Sequence, residues 1–186
     1  LSPLLLQLLN ALETLHTAGL LHKSLTPTGI LLQQDGTPVL TAPGVNHTPP
    51  PEFAADALPA LCYTPLEQLQ PKLPIGPWSD LYALGAICYH LITGKLPPSS
   101  IYRSYDRVPY NPLAERPELH ERFSREFLST IDRALETMPE DRWQNTGEWV
   151  VALSAGRSTR AMVAVAHTGT AGIDRVLVTI LRETVI

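Results

Sequence analysis

The sequence predicts a mainly α-helical fold carrying one small β-hairpin near its start, and three observations predict it. Leucines recur at helical spacing at Leu4, Leu5, Leu8, Leu9, Leu12 and Leu15. Asp35-Gly36, a dipeptide suited to tight turns, separates the apolar run Ile30-Leu31-Leu32 from a second short run through Val39 and Leu40. Further along, apolar stretches begin at capping residues and stop at glycine or proline.

Each element follows in order. Ser2-Pro3 reads as an N-cap followed by proline at the first helical position, and Gly19 marks the end of that helix. The hairpin strands run from Ile30 to Gln34 and from Thr37 to Thr41. Residues 43–77 hold Pro43, Pro49-Pro50-Pro51, Pro59, Pro65, Pro71, Pro74 and Pro77, so a long irregular segment without regular helix or inner strand is expected. Ser79 is expected to cap a helix running to about Thr93, ended by Gly94 and Pro97-Pro98. Residues 98–123 read as a loop with a short helix, on which Tyr102, Tyr105 and Tyr110 pack. Ser124 opens another helix with a stripe of Phe127, Leu128, Ile131 and Leu135, and Thr146 opens one through Trp149, Val150 and Leu153 that stops near Gly156. Beyond a linker at 157–160, the runs Ala161–Ala166 and Val176–Leu181 read as strands around a glycine-bearing turn, the second alternatively as a short helix. This tail is either the start of another domain or a stretch with no fold of its own.

Composition narrows the function. A chain of 186 residues with 44% hydrophobic content suits one domain with a core. The net charge of −4 offers no basic footprint for nucleic acid. Cys62 and Cys88 form no metal or disulfide pattern, and Cys88 reads as a small core residue. Thr168-Gly169-Thr170-Ala171-Gly172 has no following Lys and is rejected as a phosphate loop. No secretory leader and no apolar run long enough to span a bilayer is found, so a cytoplasmic protein away from membranes is expected.

One stretch carries chemistry. His22-Lys23-Ser24-Leu25-Thr26-Pro27-Thr28-Gly29-Ile30-Leu31-Leu32 resembles the catalytic loop of protein kinases, H-R-D-x-K-P-x-N-I-L-L, with its reactive groups removed. Ser24 stands at the catalytic Asp, Thr26 at the Lys and Gly29 at the metal-binding Asn. After the hairpin, Ala42-Pro43-Gly44 stands where the family has D-F-G, keeping Gly44 and replacing the Asp by Ala42. Four further segments follow the family's order. Tyr63-Thr64-Pro65-Leu66-Glu67-Gln68 looks like the A-P-E segment in a bacterial P-x-E-Q form. Ser79-Asp80-Leu81-Tyr82-Ala83-Leu84-Gly85 looks like D-x-[WY]-x-x-G, Leu91–Pro98 like L-L-T-G-x-x-P-F, and Pro139–Trp143 like P-x-x-R-[PW].

The resemblance implies a protein-kinase-like large C-terminal lobe at residues 1–156 and a tail at 157–186, within the bacterial Ser/Thr kinase-like branch of the superfamily. It implies that His22, Gly44, Glu67, Asp80, Gly85 and Arg142 are structural motif residues. Asp80 would hold the backbone of the His22 loop, and Glu67 would pair with Arg142. Lys23 keeps a cation where the family's Arg meets an activation-loop phosphate, though a solvated lysine is the plainer reading. Thr48, Tyr63 and Thr64 are conceivable phosphorylation sites. The small lobe that precedes this region in the family is expected to lie outside the sequence, which starts without Met and reads as a fragment or a misassigned start.

The substitutions decide the chemistry. Phosphoryl transfer asks a kinase for positioning and electrostatic stabilisation, supplied by the loop Asp, the Lys and magnesium ligands. An Asp, with an ordinary pKa of ~3.9, is ionised at neutral pH, whereas a Ser hydroxyl is a very poor base. Magnesium takes hard oxygen ligands in octahedral array, and Gly29 and Ala42 bring none. The family would use ATP and Mg2+; here no cofactor and no metal are expected, and nucleotide binding is left doubtful. The leading expectation is therefore a catalytically inactive lobe, a pseudokinase, acting as a scaffold or allosteric module for a protein partner. The alternatives are a divergent Ser/Thr kinase fragment, with Asp35 or Glu52 supplying the metal ligand, and a decaying gene product without function.

Overall fold

The computed structural model describes residues 1–41, 58–70 and 72–158. Helix α1 spans Ser2–Thr17; β1 (Ile30–Leu32) and β2 (Pro38–Leu40) follow, then α2 (Leu58–Leu61), α3 (Leu66–Leu69), α4 (Pro77–Thr93), α5 (Ser100–Ser104), α6 (Arg125–Ala134) and α7 (Thr146–Ser158). Single 3₁₀ turns lie at Pro27–Gly29, Leu113–Glu115, Pro117–Leu119 and Pro139–Asp141.

The N-cap of α1 is Leu1 rather than Ser2, because the Leu1 carbonyl already accepts the Leu5 N–H at 3.0 Å. That puts Pro3 in the first turn, where its missing N–H breaks no helical bond. The helix closes as the glycine suggests. Gly19 takes a φ of +72°, its N–H reaches the His16 carbonyl, and the Leu20 N–H reaches the Leu15 carbonyl, the paired bonds of a Schellman ending. Leu5, Leu8, Leu9 and Leu12 form its buried face.

The hairpin is antiparallel, with Ile30 opposite Leu40, Leu31 opposite Val39 and Leu32 opposite Pro38. Gly36 at φ +82° turns the chain, and the Asp35 carboxylate accepts the Thr37 N–H at 2.9 Å. Because side chains alternate across a strand, Ile30 is buried in the core while the facing pair Leu31 and Val39 is exposed.

α4 is the axis of the lobe. Every residue from Ser79 to Tyr89 is buried, followed by Leu91 and Ile92, as expected of a helix apolar all round. Its N-cap is Gly76, not Ser79. Pro77, with φ preset for a helix, starts the first turn, and Ser79 sits at its third position with Oγ accepting the Gly76 N–H at 3.3 Å. Gly94 ends the helix in the left-handed region at φ +67°. α6 crosses α4 at Gly85, where an added Cβ would lie 2.9 Å from the Ala134 Cβ. The missing side chain thus lets two backbones approach.

Two four-residue helices, α2 and α3, interrupt the proline-rich segment that was expected to be irregular. Pro59 sits in the first turn of α2 and Pro65 is the N-cap of α3, the positions where proline obstructs nothing. Ser124 caps α6 as expected, its Oγ accepting the Phe127 N–H. α7 runs through Gly156 to Ser158, since a glycine weakens a helix by ~1 kcal/mol without ending it. Tyr105 stays out of the core, 61% exposed at the end of α5 with the Arg107 guanidinium 6.0 Å from its ring centroid, whereas Tyr110 is partly buried and donates its hydroxyl to Asp132 at 2.5 Å. Asp132 also accepts the N–H groups of Leu113 and Ala114, so one carboxylate of α6 fixes the whole 113–115 turn. From residue 159 on, the expected tail lies outside the described residues.

Candidate functional site

The loop His22–Gly29 lies between the end of α1 and the hairpin, on the N-terminal end of α4. Asp80, in the first turn of α4, holds it. One carboxylate oxygen accepts the His22 N–H at 2.8 Å and the other the Lys23 N–H at 2.7 Å. His16 Nε2 contacts the same oxygen as His22, at 2.9 Å, while its Nδ1 is buried without a hydrogen bond. From the other side, the Gln68 amide donates to the Lys23 carbonyl at 2.9 Å. These bonds hold Lys23 at a φ of +61°, a conformation that costs an L residue roughly 1–2 kcal/mol. The Lys23 side chain itself is exposed.

Within this fixed backbone the chemistry-bearing positions are neutral. Ser24 Oγ donates to the His22 carbonyl at 3.3 Å and lies 3.4 Å from His22 Nδ1. Thr26 and Thr28 pair their hydroxyls at 2.9 Å. Gly29 sits against Thr41, whose Oγ1 would be 3.3 Å from an added Cβ. His22 is buried and packs beneath the loop. Ala42 and Gly44, expected as the metal-side counterpart, lie outside the described residues, as do Thr48 and Glu52.

The nearby carboxylates are committed elsewhere. Asp80 spends both oxygens on the loop backbone. Glu67 accepts two Arg142 N–H bonds, at 2.8 and 3.0 Å, and the Ser79 hydroxyl at 2.7 Å. Asp35 sits at the turn of the hairpin, the opposite end from Gly29, where the Thr37 N–H holds its carboxyl below the usual range. Among the described residues, no group of three or more His, Cys, Asp or Glu is placed to hold a metal ion. The donor set of the loop, hydroxyls already paired and a glycine, does not fit the hard-oxygen shell that magnesium needs.

The activation-side segment is anchored to the lobe. The Tyr63 hydroxyl contacts His90 Nδ1 at 2.5 Å, and burial pushes that phenol well above its ordinary range. The Thr64 hydroxyl donates to the Ala60 carbonyl, and the Ser100 hydroxyl to the Thr64 carbonyl. The parts of His16, Gln68 and His90, and the bond from Ser79 to Glu67, were missed by sequence reasoning; His16, six residues before His22 on the last turn of α1, was the legible one.

This geometry, a helical lobe whose central helix clamps a loop from beneath through one carboxylate, defines the large lobe of a kinase-type fold. The model of the protein kinase domain matches residues 1–150, and the chain belongs to that family. Serine/threonine-protein kinase F of Synechocystis sp. is 26% identical over 162 residues, 84% of this chain and 31% of that protein. The probable serine/threonine-protein kinase PknB of Corynebacterium glutamicum is 26% identical over 183 residues, 92% of this chain and 27% of its own length. The solved apo form of PpkA-294 superposes with a TM-score of 0.66 at 34% identity, covering 82% of this chain and 53% of that one. The Mycobacterium tuberculosis PknI kinase domain shares the fold, with a TM-score of 0.53 at 24% identity, over 81% of this chain and 53% of that one. The chain therefore spans less than a third of these two curated relatives and about half of the solved kinase chains. Among the described residues, no helix is long and apolar enough to cross a membrane.

Proposed function

We propose that this lobe does not transfer phosphate and works by binding a protein partner, as a cytoplasmic scaffold or allosteric module in bacterial Ser/Thr signalling. One observation carries the reading. The loop is held in place by Asp80 while Ser24, Thr26 and Gly29 offer no general base, no cation and no metal ligand. In the sequence Ala42 removes the remaining metal carboxylate. A positioned general base alone contributes ~10²–10⁴-fold to a rate, and here three further groups are lost with it. The fork of Arg142 on Glu67 and the clamp of Asp80 keep the lobe's shape without the reactive groups.

The full-length protein, incubated with γ-labelled ATP, Mg²⁺ or Mn²⁺ and generic protein substrates, is expected to give no incorporation above a heat-inactivated control. Incorporation that survives purification and disappears in Ser24→Ala or Thr26→Ala would overturn the proposal.

A further inference from the structure

We draw no further inference here: the strongest candidate, the open groove of about 490 Å³ between α6 and α7 lined by Glu126, Arg133, Trp143, Ala152 and Ala155, carries nothing because nothing in the structure shows what covers it.

Discussion

Arg142 meets Glu67 as a fork on a carboxylate, Nη1 to Oε1 at 2.8 Å and Nη2 to Oε2 at 3.0 Å, with both side chains out of contact with water. The fork is fully satisfied. Arg142 also donates to the Glu136 and Thr137 carbonyls, its guanidinium lies over the Tyr82 ring at 4.7 Å, and Glu67 takes the Ser79 hydroxyl. A buried pair of this kind is a pin between α3 and the 139–142 turn rather than a large net source of stability, because desolvation offsets much of the attraction. Glu67→Ala is expected to destabilise by about 3–5 kcal/mol, since it leaves a buried guanidinium without its counter-charge. Arg142→Lys also destabilises, because an ammonium cannot reproduce the bidentate fork. Glu67→Met with Arg142→Met is expected to cost less than Glu67→Met and Arg142→Met summed; urea unfolding of these three variants measures the coupling, and strict additivity would contradict it.

Asp80 gives a second prediction, local rather than global. Its two oxygens accept the His22 and Lys23 N–H groups and contact His16. Asp80→Asn turns one acceptor into a donor facing a donor. Hydrogen bonds to a charged group are worth about 1.5–3 kcal/mol each, so a loss of at least 2 kcal/mol is expected. Amide exchange should speed up at His22 and Lys23 beyond the rise at α4. Equal acceleration everywhere would mean that the carboxylate does not hold the loop.

Close approach at Gly85 is tested by exchange of small residues. An added Cβ meets the Ala134 Cβ at 2.9 Å and Leu135 Cγ at 3.5 Å. Gly85→Ala should destabilise by about 1–3 kcal/mol through overpacking, even though alanine favours a helix over glycine by ~1 kcal/mol. Adding Ala134→Gly should recover part of the loss relative to Ala134→Gly alone. Gly85→Ala that stabilises the protein would show that α6 can move away.

Cys88 sets an alkaline limit. Burial in α4 pushes its thiol from 9.0 up to about 12. The folded pKa is raised, so this contribution is fully present below about pH 9 and is lost as pH rises towards 12. Between those values the unfolded thiol has released its proton and the folded one has not, a slope of about 1.4 kcal/mol per pH unit. Cys88→Ala should flatten the fall in the urea midpoint between pH 9 and 11 while lowering stability at pH 7 through the space it leaves. An unchanged alkaline slope in the variant would contradict the assignment. Cys62, pushed up to about 11 by partial burial, adds to the same fall and remains in both proteins.

What could be read from sequence divides along local and long-range physics. The leucine period of α1, the turn at Gly36, the Ser124 cap and the Gly94 stop are written within a few neighbouring residues. The two short helices of the proline-rich segment were hidden because proline blocks a helix interior but not its first turn, and boundaries decide between the two. Ser79 reads equally well as a cap or as a third helical position; Pro77 tips the balance. Asp132 was invisible for another reason. Its three partners, Tyr110, Leu113 and Ala114, are backbone and hydroxyl groups some twenty residues away, and no residue pattern marks which carboxylate they will meet. At the site, Asp80 and Glu67 with Arg142 were expected through the family resemblance, and the structure brings each to its partner. Gln68, which completes the hold on the loop beside His16, is a residue type too common to stand out.

With its hydroxyls paired and a glycine at 29, the loop from Ser24 to Gly29 cannot grip a divalent ion. The direct measurement is anomalous diffraction from a crystal of the protein soaked with Mn²⁺ and a non-hydrolysable ATP analogue. No metal peak is expected within ligand distance, about 2.0–2.2 Å, of any oxygen in Ser24, Thr26 or Gly29. A manganese ion bound to that loop and bridging to the analogue's phosphates would contradict it.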